Sequence, residues 1–105
     1  MDGQILYSGK SSQWNHLSNV VLIDTPSNGW SHMVSDNLEL LHQFAEKVGL
    51  NKCWFRVKKN KTKNRKQPHY DVRSNQYQQM LDAGAIPVTR KDLWMFLDKH
   101  YANKS

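Results

Sequence analysis

The segment from Ser35 to Leu50, SDNLELLHQFAEKVGL, constrains the fold most, because its apolar residues recur at the spacing of one helix face. Asp36 with Glu39 three residues later matches a capping box, which predicts that a helix begins after Asp36. Gly49 is predicted to end this helix in the left-handed conformation, with Leu50 folding back onto the last turn. The apolar stripe comprises Leu40, Leu41, Phe44, Ala45 and Val48. Such a stripe must be covered by another layer of secondary structure.

Short apolar and β-branched runs predict that this layer is a sheet, with strands within residues 19–24, 53–57, 68–72 and 85–88. Ser74 and Thr89 are predicted to cap two further helices, and Gly84 to close the first of these. The order is strand, helix, strand, strand, helix, strand, helix. It predicts an α/β or α+β fold, in which a short sheet of three to four strands is covered by about three helices.

Length predicts a single globular domain over residues 19–101, after an irregular N-terminal extension over residues 1–18. The longest apolar run has five residues, Leu93 to Leu97, whereas a membrane-spanning helix needs ~20. The N-terminus carries Asp2 and lacks the apolar region of a signal peptide, and the single Cys53 allows no internal disulfide. These features favour a cytoplasmic protein without membrane contact.

Positive charge is concentrated in the middle of the chain. The net charge is +6, and nine of the 15 Lys and Arg residues lie between Glu46 and Asp71, where no acidic residue occurs. A loop at 56–66 is predicted to bind a polyanion, although a solvated loop that merely keeps the protein soluble is the alternative. Its candidate phosphate-binding residues are Arg56, Lys58, Lys59, Lys61, Lys63, Arg65 and Lys66.

Directly after this loop, the sequence QPHYDV contains His69 and Asp71, which share one face of a strand while Tyr70 faces the other way. Asp71 could then orient His69 for acid/base chemistry, or both could hold a metal ion. The alternative is structural: Asp71 accepts backbone N–H bonds ahead of the next helix, and His69 caps a turn.

The sequence GWSHMVSD precedes the first predicted helix. Ser31 and His32 are predicted to cradle a phosphate at the helix N-terminus, where backbone N–H groups lack internal partners. Asp36 is better explained as the helix cap than as a ligand. Trp30 follows a loop glycine and is predicted to be exposed enough to stack on a base.

Asp24 ends the first predicted strand and could join His32, His69 and Asp71 as nitrogen and oxygen ligands for a divalent metal, with Asp24 and Asp71 as the carboxylate ligands. No pair has a dedicated metal-binding spacing, so the cofactor stays open. His16, His42 and His100 lack companions in the sequence and are expected at the surface. Trp94 and Phe96 are expected in the core.

The motifs VLID, WSHMVSD, LHQFAEKVGL, CWF, HYDV and AGAIPVTRKDL follow one another in this order. Together they resemble a family of small phage and bacterial proteins catalogued as a domain of unknown function, over about residues 20 to 97. The resemblance implies a shared polar and aromatic site, but it carries no established activity. Its signature positions here are Asp24, Trp30, Ser31, His32, Asp36, His69, Tyr70 and Asp71. The N-terminal 18 residues and the basic loop look like additions to the family pattern.

Three functional hypotheses follow. The first is a binding protein that holds nucleic acid or a nucleotide through the basic loop and a His/Asp site. The second is a phosphodiester-cleaving enzyme in which His69, Asp71 and His32 act as catalytic residues, with or without a divalent metal. The third is an inhibitor of a host protein. Charge is the strongest signal and favours the first.

Overall fold

A computed structural model describes residues 18–60 and 65–101, and the predicted N-terminal extension lies almost wholly outside them. Five strands and three α-helices are present in the described residues. The strands are β1 (Val21–Asp24), β2 (Trp30–Ser35), β3 (Phe55–Asn60), β4 (Arg65–Arg73) and β5 (Ile86–Val88). The helices are α1 (Leu38–Lys47), α2 (Tyr77–Ala83) and α3 (Arg90–Tyr101), with short 3₁₀ turns at Lys52–Trp54 and Ser74–Gln76.

All five strands form one sheet in the order β3-β4-β2-β1-β5. β1 and β5 are parallel, and the other neighbouring pairs are antiparallel. The α+β class and the three helices are confirmed, but the predicted count of three to four strands was too low. The missed strand is β2, which was expected to be the approach to the first helix.

The sheet is covered on both faces, because alternate residues of each strand point to opposite sides. On one face, Ile23, Met33, Tyr70 and Val72 pack with α1 and α2. On the other face, the core consists of Leu22, Val34, Val88, Leu93, Phe96 and Leu97, the last three from α3. The domain therefore has three layers, and the face covered by α3 is called the α3 face below.

The ends of α1 only partly match the sequence prediction. The cap is Asn37, whose side chain accepts from the Leu40 N–H at 3.2 Å, so the prediction that Asp36 caps this helix was wrong. Asp36 instead accepts from the backbone N–H groups of Asn19 and Val20, and it thereby anchors the start of β1. The C-terminal prediction is confirmed, because Gly49 has φ +82° and the Leu50 N–H donates to Ala45.

Of the predictions for the ends of the other two helices, two are confirmed and one is wrong. Thr89 caps α3 as predicted, since its hydroxyl accepts from the Asp92 N–H at 3.1 Å. Ser74 begins a 3₁₀ turn rather than capping α2, which starts at Tyr77 without a side-chain cap. Gly84 ends α2 in the left-handed conformation, as predicted.

The basic segment 56–66 is largely a β-hairpin and not a loop. β3 extends to Asn60 and β4 begins at Arg65, with Lys58 opposite Gln67 and Lys59 opposite Lys66. Within residues 18–60 and 65–101, no helix is long and apolar enough to cross a membrane.

Candidate functional site

Three adjacent strands bring four polar side chains together on the α3 face. β1 ends in Asp24, β2 carries His32, and β4 carries both His69 and Asp71. His32 lies directly opposite Asp71 in the β2–β4 ladder, and β1 flanks β2 on its other side. The sequence predicted that His69 and Asp71 share a face, and the sheet adds the other two residues to it.

The tightest contact of this cluster joins Asp24 and His32. Asp24 is completely buried, and its Oδ1 accepts from the backbone N–H of His32 at 2.6 Å. Its Oδ2 lies 2.8 Å from Nδ1 of the His32 ring. The His32 side chain remains 25% exposed. A buried carboxylate thus orients an accessible imidazole whose Nε2 is left for a ligand, an arrangement typical of acid/base sites.

His69 is held more deeply than His32. Its Nδ1 lies 2.8 Å from the carbonyl oxygen of Gln67, and because a carbonyl only accepts, Nδ1 carries the hydrogen. Its Nε2 lies 3.3 Å from Oδ1 of Asp71. Burial lowers the pKa of His69, and the charges of His32 and Lys58 act in the same direction, against the Gln67 carbonyl and Asp71. The ring is therefore biased towards its neutral form, with Nε2 as the site of proton uptake.

The two imidazole rings are neighbours. Their centroids lie 5.4 Å apart in an edge-to-face arrangement. Trp94 of α3 contacts both rings, with centroid distances of 5.0 Å to His32 and 5.8 Å to His69. Trp94 is half-buried and packs against the α3 core as predicted, yet it also closes one side of the site.

Cationic side chains surround the cluster. Arg56 lies opposite His69 on β3, and its Nε contacts Oδ2 of Asp71 at 2.7 Å while the side chain stays 66% exposed. Lys58, two residues further along β3, shares this face and is exposed. Arg90, the first residue of α3, places its Nε 3.6 Å from Oδ2 of Asp24.

Other predicted site residues lie elsewhere. Ser31 is fully buried on the opposite face of β2, and its hydroxyl has no hydrogen-bond partner among the described residues. Asp36 is occupied at the start of β1. Lys66 alternates onto the face opposite His69, Lys59 is placed only as a residue of β3, and Lys61 and Lys63 lie outside the described residues. Arg65 is placed only as the first residue of β4.

The four acidic and imidazole groups form two separate pairs. Across residues 18–60 and 65–101, no three His, Cys, Asp or Glu side chains are grouped closely enough to hold a metal ion. Both oxygens of Asp24 already accept from His32, and Asp71 contacts Arg56 and His69. Within the described residues, Asp24 and Asp71 are therefore engaged by neighbouring side chains and do not meet in one set of metal ligands.

A family model described as "Protein of unknown function (DUF4031)" matches residues 21–100. The chain belongs to the DUF4031 family. This match confirms the predicted membership of a domain-of-unknown-function family, and the matched range contains all four residues of the cluster. No curated protein and no solved structure matches the chain.

The DUF4031 domain also has a second group of polar and aromatic residues, on the face covered by α1. The ring of His42 lies 4.6 Å from Phe55, and its Nδ1 lies 2.8 Å from the Tyr70 hydroxyl, so the expectation that His42 lacks companions was wrong although it is exposed. These residues line a cavity of about 780 Å³ together with Glu39, Glu46 and Lys52. No local pattern links His42 to Tyr70, which lies 28 residues further along the chain.

Proposed function

We propose that this domain binds nucleic acid or a nucleotide on the α3 face, beside the group formed by Asp24, His32, His69 and Asp71, called the His/Asp cluster below. The observation that carries the proposal is the position of Arg56 and Lys58. Both lie on the face of the sheet that carries His69 on β4 and His32 on β2, so exposed cations share this face with the partly exposed His32 imidazole. Phosphate oxygens are the groups that such cations and imidazole N–H groups bind together.

The charge balance of this surface supports the proposal. Arg56, Lys58 and Arg90 outnumber Asp24 and Asp71, and Asp24 is withdrawn from the surface by complete burial. Arg56 is held by Asp71 but remains mostly exposed, so it can contact a phosphate without losing that partner. Lys and Arg on an edge strand also protect the sheet from aggregation, and this structural role is what the experiment has to separate from binding.

The test is a binding titration with labelled oligonucleotides over a series of salt concentrations. The double variant Arg56→Gln/Lys58→Gln removes two positive charges from the α3 face. The control Lys47→Gln/Lys52→Gln removes the same charge from exposed residues near the end of α1 and the following turn. We expect the first variant to bind more weakly and to reduce the slope of log K against log salt by about 1.4–1.8, since each lost phosphate contact removes about 0.7–0.9.

The control variant should keep most of the native slope. Equal slopes in the two double variants would show that the α3 face makes no particular phosphate contacts, and would overturn the proposal. The oligonucleotide is recovered from each binding reaction and analysed for cleavage.

We propose cleavage of a phosphodiester bond as the second candidate function, because the Asp24–His32 pair lies beside a second imidazole. Nε2 of His32 is the ring nitrogen not held by Asp24, and Nε2 of His69 faces Oδ1 of Asp71 at 3.3 Å while Nδ1 is held by Gln67. A neutral His69 can accept the proton of an attacking hydroxyl or water, while a protonated His32 donates to the leaving oxygen. One positioned acid or base typically contributes about 10²- to 10⁴-fold in rate.

The cleavage hypothesis is tested with His32→Ala and His69→Ala in single-turnover reactions, with and without a chelator. We expect each substitution to lower the cleavage rate by about 10²-fold or more and to change affinity little. Tyr70→Phe, which alters the opposite face of the same strand, is the control and should cleave at the native rate. Intact oligonucleotide with the native protein would refute this second candidate and leave the binding proposal standing.

A further inference from the structure

Trp30 and Arg73, at one end of the α3 face, contact each other and the ring of Trp54. Trp30 on β2 lies directly opposite Arg73 on β4. The Arg73 guanidinium carbon lies 5.0 Å from the centroid of the Trp30 ring and 5.9 Å from that of Trp54. The two indoles meet edge to face at 6.2 Å with an interplanar angle of 85°. An exposed cation–π contact of this kind contributes only modestly to stability, but it holds the Trp30 indole in a defined orientation.

Trp30 contributes little to the interior of the protein. It is 37% exposed and belongs to neither of the two buried core clusters, whereas Trp54 packs against the core on the α1 side. Among the described residues, only Val57 and Met95 are other large hydrophobic side chains exposed to a similar degree. A large aromatic side chain that is exposed, oriented and outside the core is available to a ligand.

The position of Trp30 relative to the His/Asp cluster suggests which ligand this is. Trp30 and His32 are two residues apart on β2 and share a face, about 7 Å apart along the strand. On β4, Arg73 and Asp71 have the same relation. An indole therefore stands beside the group that would contact phosphate, at a separation comparable to that between a base and its neighbouring phosphate.

We infer that the nucleic acid bound on the α3 face is single-stranded, with one unpaired base stacked on Trp30 while the adjacent phosphate contacts His32 and the neighbouring cations. This inference rests on the proposed binding function. Bases within a duplex are already stacked on one another, so their faces are closed to an indole. Stacking of an aromatic side chain on a base tolerates any sequence and adds to the electrostatic contacts of the backbone.

The experiment compares three fluorescently labelled probes of equal length: a single-stranded oligonucleotide, the corresponding duplex, and a single strand of abasic nucleotides. The abasic strand presents the phosphates without any base to stack. The variants are Trp30→Leu, Trp30→Phe and, as a control, Val57→Ala, which removes exposed apolar surface from the opposite face of β3. Circular dichroism confirms that each variant is folded.

We expect the native protein to bind the base-containing single strand more tightly than the duplex or the abasic strand. Trp30→Leu should weaken binding to the base-containing strand by about 5- to 150-fold and leave the affinity for the abasic strand unchanged. Trp30→Phe has a smaller ring, so its affinity for the base-containing strand should lie between those of the native protein and Trp30→Leu. Val57→Ala should match the native protein on all three probes.

Two other outcomes overturn the inference in different ways. If Trp30→Leu binds all three probes as the native protein does, or weakens all of them equally, stacking on Trp30 is refuted while the phosphate contacts of the proposed function remain. If the native protein binds none of the probes even at low salt, the proposed function fails as well.

Discussion

Substitution of Asp24 by alanine or asparagine tests the central contact of the site, because this carboxylate is completely buried and accepts two hydrogen bonds from His32. Alanine leaves the His32 backbone N–H and the ring Nδ1–H without their carboxylate acceptor at a partly buried position. Each orphaned donor costs about 1–3 kcal/mol, so we expect a loss of about 4 kcal/mol in the free energy of unfolding. The contact with Arg90 is long and half-exposed, and it adds little.

Asparagine has the same shape and retains one acceptor oxygen, which can keep the bond to the backbone N–H. Only the charge assistance and the contact with Nδ1 change, so we expect Asp24→Asn to cost about 1–2 kcal/mol. Urea denaturation measures both variants. With a slope of about 1.5 kcal/mol/M, the unfolding midpoint should fall by about 2–3 M for alanine and about 1 M for asparagine.

The control is Asp82→Asn, which removes the same charge from an exposed residue of α2 and should change stability by less than about 0.5 kcal/mol. If both Asp24 variants unfold at the midpoint of this control, the buried Asp24–His32 pair does not form in solution. The acid/base argument built on it would then be refuted.

Three further predictions concern stability alone. Because burial lowers the pKa of His69 below its usual 6.5, the unfolded chain binds a proton more readily there, so stability should fall as pH drops below about 6.5 and level off below the folded pKa. The slope is at most about 1.4 kcal/mol per pH unit. Urea midpoints measured between pH 5 and 7.5 should show it as a pH-dependent difference in stability between the native protein and His69→Gln. A difference that does not change with pH would contradict the lowered pKa. Tyr70→Phe removes the 2.8 Å contact with His42 and should cost about 1 kcal/mol, seen as a Tm about 4–8 °C lower, whereas an unchanged Tm would show that water replaces the contact fully. Gly84→Ala should lower the free energy of unfolding by about 1–2 kcal/mol in the same assay, because φ is +119°, a conformation that disfavours a side chain. A Cβ there would meet no atom within 4 Å, so no steric clash adds to this cost. An unchanged Tm would mean that the helix end relaxes.

The sequence predicted most elements of the fold, but it did not reveal β2. This strand lies in the middle of the sheet with both faces covered, so His32 and Val34 point to one side while Ser31, Met33 and Ser35 point to the other. Its residues therefore show neither a continuous apolar run nor a polar and apolar alternation, which are the two patterns that indicate a strand. Ser35, Asp36 and Asn37 are all good cap residues, and only the contact of Asp36 with the start of β1 decides which one caps the helix.

The sequence predicted only part of the candidate site, because the other part depends on β2, the strand that it did not reveal. The shared face of His69 and Asp71 follows from spacing along one strand and needs no tertiary information. The stronger pair, Asp24 with His32, depends on recognising that TPSNG joins two antiparallel strands, which would have placed these residues beside each other. The dense block of like charges predicts a loop over the basic segment, yet β3 is an edge strand, where Lys is commonly tolerated.

The alternation along β4 has a consequence for how this domain can evolve. Tyr70 and Val72 belong to the core under α1, while His69 and Asp71 belong to the site, so neighbouring codons specify different layers of the protein. An insertion or deletion of one residue within β4 would send the imidazole and carboxylate into the apolar interior and expose the tyrosine on the other side. A length change of one residue in this strand should therefore disrupt the core and the cluster of His69 and Asp71 together.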